Sequence, residues 1–212
     1  MAVGRDWLAW HESYDDETSP LARRLRFIQQ AIGRWLDERP DARLTALSVC
    51  AGQGHDVLGV LAERPDGSRV RATLLESDPR NVAAARAAVE RAALANVAIV
   101  DADAGDLAAY VGLVPADLIL MAGVFGNISD DDVHRTIEAL PMLCAPDATV
   151  IWTRSRRAPD LTPAVRRWLG ESGLLEQVFH APDGVLFSVG VHQFAGVPHA
   201  LRPQARLFRF IR

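Results

Sequence analysis

Cys50-Ala51-Gly52-Gln53-Gly54 is the first stretch of this chain whose residue types and spacing suit ligand chemistry. Two glycines one residue apart let the backbone approach a bound group with no side chain between. The helix expected to follow then turns its free N–H groups toward that group. Side chains placed at Gly52 or Gly54 are therefore expected to fill ligand space. Glu76 ends the next strand-like segment, VRATLLE, and a carboxylate there can accept both hydroxyls of a ribose. Asp103, within VDADAGD, can accept a hydrogen bond from an adenine amine while the Ala104 backbone N–H meets the ring, and Asp101 or Asp106 compete for that role. Asp78 precedes Pro79 and reads as a helix cap. The order of glycines, ribose acid and base-binding acid, each at the end of a strand, points to a nucleoside-containing cofactor.

Stepping outward, the elements that must hold these residues are legible from periodicity. Ser19-Pro20 starts a helix in which Leu21, Leu25, Ile28, Ile32, Trp35 and Leu36 recur at helical spacing as far as Arg39-Pro40. Strands are expected at Leu44–Cys50, Val70–Glu76, Val97–Asp101, Ala116–Met121 and Ala148–Thr153. Between and after them lie expected helices at Asp56–Ala62, Pro79–Ala93 and Asp130–Met142, with another from Thr162-Pro163 to near Gly170. Strands alternating with helices argue an α/β, doubly wound, parallel sheet. Leu174–Phe179 and Val185–Phe194 are joined by a loop too short for a crossover helix, so they pair antiparallel. Leu207–Ile211 is expected to add one more short strand.

Composition removes several function classes. Hydrophobic residues make up 49% and charged residues 24%, as in a folded globular chain. The formal charge of -4 gives no footprint for a nucleic-acid backbone, so no nucleic-acid partner is expected. All of the fixed basic residues are arginine, which excludes a Schiff-base lysine and a Walker-type phosphate loop. Cys50 and Cys144 are too few for a disulfide scaffold or a cysteine-built zinc site, and the histidines show no metal-ligand spacing, so no metal is expected. No apolar run reaches the ~20 residues of a membrane span. No membrane partner and a cytoplasmic location are expected.

A dinucleotide fingerprint would place a third glycine where Val57 stands; Gly59 comes too late. The chain instead resembles the class I S-adenosylmethionine-dependent methyltransferases over roughly residues 40–195. The resemblance rests on CAGQG (50–54), Glu76, Asp103 and the fourth-strand segment ADLILMAGVFGNIS (116–129). It implies a Rossmann-like, mostly parallel seven-stranded sheet with an antiparallel C-terminal strand. It also implies S-adenosylmethionine as cofactor, with Cys50, Ala51, Gly52, Gly54 and His55 around the methionine part. On the same basis, Glu76 and Ser77 sit at the ribose, Asp103 and Ala104 at the adenine, and Gly123 beside the transfer site. Two departures stand out: Ser48 where the family often has an acid, and Cys50 in place of the first loop glycine. Asp56 joins His55 as a further candidate for the methionine part.

A sulfonium methyl is electrophilic without metal help, so transfer needs alignment and exclusion of water more than a catalytic dyad. Residues 1–40 are expected to form an N-terminal helical lid or cap on a cofactor-binding domain of residues 41–212. Trp7 and Trp10 with His11 and Tyr14 would supply the acceptor side, His11 as a base and Tyr14 as a donor. Asn127 can orient a polar acceptor or cap the following helix. Arg154, Arg156 and Arg157 can seat an anion or pair with surface acids. The acceptor is expected to be a small, possibly anionic molecule; methylation of protein or nucleic acid and a non-catalytic scaffold are the alternatives. A homo-oligomer is compatible with the sequence, which does not argue for one.

Overall fold

The computed structural model describes residues 16, 18–40 and 43–211. Helix α1 (Pro20–Asp37) begins where Ser19 Oγ accepts the Ala22 N–H at 3.0 Å, with Pro20 at the first position. Its buried stripe of Ile28, Ala31, Ile32, Trp35 and Leu36 packs against the sheet. Its last turn is closed from outside: the Arg69 guanidinium donates to the Leu36 and Arg39 carbonyls at 2.7 and 2.6 Å, taking up carbonyls that the helix cannot satisfy itself. Then follow β1 (Leu44–Val49), α2 (His55–Glu63), β2 (Val70–Glu76), α3 (Pro79–Arg91), β3 (Val97–Asp101) and β4 (Ala116–Met121). The second half adds α4 (Asp130–Ala139), β5 (Cys144–Ser155), α5 (Thr162–Glu171), β6 (Leu174–His180) and β7 (Phe187–Phe194).

The seven strands lie in the order β3-β2-β1-β4-β5-β7-β6. Strands β1 to β5 pair in parallel, and β7 runs antiparallel to both β5 and β6. The expected architecture is thus present. Alternation along the strands sends Ala46, Leu74, Leu118, Leu120 and Ile151 to a core shared with α1, α2 and α3. Leu47, Leu75, Ile119, Met121, Val150 and Trp152 face the opposite core, under α4 and α5. The order reverses between β1 and β4, which opens a crevice at the carboxyl ends of these strands. Among the described residues no helix is long and apolar enough to cross a membrane.

Two segments differ from the sequence reading. The expected helix over Asp130–Met142 tightens to a 3-10 turn at Leu140–Met142, where Pro141 has no N–H to continue the ladder. Leu207–Ile211 forms no strand. Its backbone makes one isolated bridge, Phe210 to Ile128, just after another from Arg206 to Asp106, while Leu207 and Phe208 sink into the core.

His192 on β7 is fully buried. Gly190 lies opposite Trp152, where any Cβ would come within 2.3 Å of the indole. The indole N–H donates to His192 Nδ1 at 3.2 Å, which leaves the proton of the neutral ring on Nε2, 3.8 Å from Glu176. Burial lowers the imidazole pKa from 6.5 to about 4, against the pull of Glu176 and with the help of Arg166. The unfolded chain therefore binds the proton more readily. His192 contributes stability above pH 6.5 that is lost as pH falls toward 4, on the order of 3 kcal/mol at about 1.36 kcal/mol per unit. His192→Gln keeps an acceptor for Trp152 without titrating there. Urea unfolding should show a shallower loss of stability between pH 6.5 and 4 in that variant than in the wild type.

Candidate functional site

A cavity of about 560 Å³ opens at the carboxyl ends of β1, β2, β3 and β4. Its floor is the turn after β1, which is left-handed at Cys50 (φ 53°), Gly52 (φ 58°) and Gly54 (φ 77°). A cysteine in that conformation costs on the order of 1 kcal/mol, so the loop must be held by its surroundings. The Ala51 N–H donates to the Leu75 carbonyl and the Gly54 N–H to the Ala51 carbonyl, each at 2.9 Å. The Gly52 N–H donates to Glu76 Oε2 at 2.7 Å. Glu76 Oε1 accepts from Ser77 and Asp78 at 3.0 and 2.8 Å. The buried Glu76 carboxylate thereby ties the turn after β1 to the turn after β2.

Of the residues expected from the sequence, Cys50, Ala51, Gly52, His55, Glu76, Ser77, Asp103, Ala104, Gly123 and Asn127 all line this cavity. Gly54 does not. A Cβ there would stand 2.5 Å from Leu74 and 2.9 Å from Leu58, so this glycine answers to the packing of α2 on the sheet rather than to ligand space. His11 and Tyr14, with Trp7 and Trp10, lie outside the described residues.

Other assignments shift. Asp103 Oδ1 accepts the Gly105 N–H at 2.9 Å, while Oδ2 pairs with Arg206 from the C-terminal tail. Burial acts to raise this carboxyl, but Arg206 and the Gly105 N–H outweigh it and hold the pKa below the ordinary range. Asp106 caps the short turn after it, accepting from Ala108 at 3.0 Å. Asn127 does not cap α4; Ser129 does, accepting from Asp132 at 3.1 Å. The Asn127 amide donates to the Gly123 carbonyl at 2.6 Å, which shapes the loop after β4. Two of the three loop arginines are committed to the protein itself. Arg154 donates to the Phe125 carbonyl and to Asp130, and Arg156 donates to the carbonyls of Pro182 and Val185 at 2.9 Å. Neither lines the cavity.

The cavity also takes residues that the motif reading passed over. Arg24, Leu25 and Ile28 come from α1, and Phe210 from the tail. Leu25 and Ile28 belong to a helical apolar stripe, and that spacing alone does not separate a core-facing side from a cavity-facing one. Asp56 opens α2, and burial pushes its carboxyl up, against the Val57 N–H and the Arg24 charge. Burial, with Glu76 and Asp103 nearby, also pushes the Cys50 thiol well up, so it stands as a neutral thiol.

Neither a protein-family model nor a curated protein matches the sequence. Solved structures do match the architecture. An O-methyltransferase family protein from Burkholderia thailandensis superposes with a TM-score of 0.68 at 15% identity, over 90% of this chain and 60% of that one. The fold is that of the class I methyltransferases. A methyltransferase from Pyrococcus furiosus gives a TM-score of 0.55 at 16% identity over 80% of this chain and 83% of its own. An RNA methyltransferase from Salinibacter ruber, in complex with S-adenosyl-L-homocysteine, gives 0.51 at 15% identity over 82% and 96%. This chain thus spans less than two-thirds of the length of the Burkholderia protein.

Within this methyltransferase fold, the two glycines of the first turn should separate by experiment. Gly54→Ala should cost about 2 kcal/mol or more, from the left-handed backbone and the clash with Leu74. Gly52→Ala should cost less, since Cys50 already shows that a side chain is tolerated in that backbone region of the turn. Chemical denaturation of the two variants measures the difference.

Proposed function

We propose that the chain is an S-adenosylmethionine-dependent methyltransferase acting on a small-molecule acceptor. The observation that carries this reading is the charge of the cavity wall. Glu76, Asp78 and Asp103 line it as carboxylates against Arg24 and Arg80, and Asp56 adds a carboxyl that burial pushes toward its neutral form. A wall with this excess of carboxylates favours a cofactor bearing a sulfonium and an ammonium over one bearing a pyrophosphate. The glycine turn, Glu76 and Asp103 fall at three successive strand ends, where an open sheet binds a nucleoside. The formal charge of -4 supports a small acceptor over a nucleic acid.

When bound, the cofactor supplies an electrophilic methyl group. The chain's own residues orient and enclose. Glu76 keeps the first two turns together and offers an acceptor to the ribose; Asp103, held ionised by Arg206, faces the adenine end. Ala122–Ser129, with Gly123 and Asn127 on the cavity, borders the transfer site. In this reading His11 and Tyr14 close the acceptor side, His11 taking a proton from acceptors that must lose one. Aligning the acceptor with the sulfur–methyl bond and excluding water supplies the rate.

Calorimetry should show S-adenosylmethionine and S-adenosylhomocysteine binding, with no measurable binding of NAD. Glu76→Ala should weaken S-adenosylhomocysteine at least tenfold, as expected for loss of a charge-assisted contact and of the turn it holds. Unchanged affinity in a folded variant would remove the assignment. A screen with labelled methyl donor should find transfer to a small molecule and none to RNA. With that acceptor, removal of residues 1–16 should leave S-adenosylhomocysteine affinity within a few fold while greatly reducing turnover. Full activity in the folded truncation would rule out the lid.

A further inference from the structure

A carboxylate offers about four acceptor positions. In Glu76 three are taken: two on Oε1 by the Ser77 and Asp78 N–H groups, one on Oε2 by Gly52. A ribose brings two neighbouring hydroxyls, and the remaining position on Oε2 serves one of them. The next acid in the wall, Asp78, is also committed. Its Oδ1 accepts the Arg80 N–H and Nε, and its Oδ2 accepts Nη2 at 2.8 Å.

One turn further, Asn81 occupies the third position of α3 and lines the same cavity. It is only 2% exposed, and its Oδ1 is buried with no hydrogen-bond partner among the described residues. A buried amide left unsatisfied opposes folding, and native structures retain few such groups without a reason. Rotation about χ2 exchanges the oxygen and the amino group of the amide at little cost, so the side chain can turn an acceptor toward an arriving hydroxyl.

We propose that Asn81 accepts the second ribose hydroxyl of the cofactor, so that the diol is shared between Glu76 and Asn81. This rests on the reading of the cavity as an S-adenosylmethionine site. It carries a signature that a structural asparagine lacks. Replacing an amide whose oxygen has no protein partner removes a cost to folding and leaves the ligand one acceptor short.

The test compares wild type, Asn81→Leu and Asn81→Ala by thermal melting without ligand and by calorimetry. The ligands are S-adenosylhomocysteine and its 2′-deoxy and 3′-deoxy ribose analogues. The free variants should melt at or above the wild-type temperature. Both should bind S-adenosylhomocysteine about fivefold to tenfold more weakly. Against one deoxy analogue, the one lacking the hydroxyl that Asn81 accepts, wild type and variants should bind alike; against the other the full factor should persist. Unchanged affinity, or an equal loss against all three ligands, overturns the assignment of Asn81 and leaves the cofactor reading standing. Marked loss of stability in both free variants overturns it too, because the amide would then have its partner within the protein. A wild type that binds none of the three overturns the cofactor reading, and the role of Asn81 with it.

Discussion

Three backbone N–H groups from two different turns converge on the carboxylate of Glu76. The turn after β1 is left-handed at three of its positions, one of them a cysteine, and such a backbone is not self-supporting. The parallel ladder between β1 and β2 brings Val49 level with Leu75, so the two turns leave the sheet side by side. Glu76 lies one residue beyond that register and accepts from both turns. The carboxylate that the sequence offers to a ribose thus joins two of the turns that line the cavity. Its acceptor capacity is largely taken by the protein, which makes the wall around it matter for what it can still bind.

The second constraint is the reversal of strand order between β1 and β4. The loops after β1 to β4 reach the cavity together because these strands run parallel, and the chain returns between them through α2, through α3 and, from β3 to β4, through residues 102–115 with one short 3-10 turn. Burial then fixes chemistry. Asp56 and Cys50 are pushed toward their neutral forms by burial, while Asp103 is kept ionised by Arg206 although burial opposes it. The charge state of the wall is therefore set by how far donors and nearby cations offset burial at each carboxyl.

Much of this was legible in the sequence. Period-two and helical patterns with Ser, Asp and Pro at helix starts located the strands and helices, because caps and turns depend on local chemistry. The short HAPDG connection was enough to make β6 and β7 antiparallel. The cavity lining was readable where a residue follows from its own strand end, as Glu76 and Asp103 do. It was not readable where the role depends on distant partners. Gly54 looks like a ligand-facing glycine until Leu74, on a neighbouring strand, fills its open side. Arg154 and Arg156 look like an anion seat until their donors reach carbonyls far along the chain. Asn81 carries no motif at all; only the burial of an amide without a partner singles it out.

The C-terminal tail shows how a segment without regular structure can still set the site. The Leu207 N–H donates to the Gly105 carbonyl at 2.7 Å, and the Ile211 N–H to the Asn127 carbonyl at 2.9 Å. Arg206 holds Asp103, and the Arg209 N–H donates to Asp132 at 3.1 Å. The tail therefore joins the loop after β3 to the loop after β4, with Leu207 and Phe208 buried as anchors. Two loops that the parallel sheet leaves unconnected become one wall, and Phe210 is carried to the cavity by that strap. From the other end of the chain, α1 brings Leu25 and Ile28 to the same opening. The large apolar side chains of the lining thus come from the two ends of the described chain, while the carboxyl groups come from the strand ends and the start of α2. That division sets the carboxylates, held at the strand ends, apart from apolar side chains carried by α1 and the tail, of which Ile28 is also buried against the sheet.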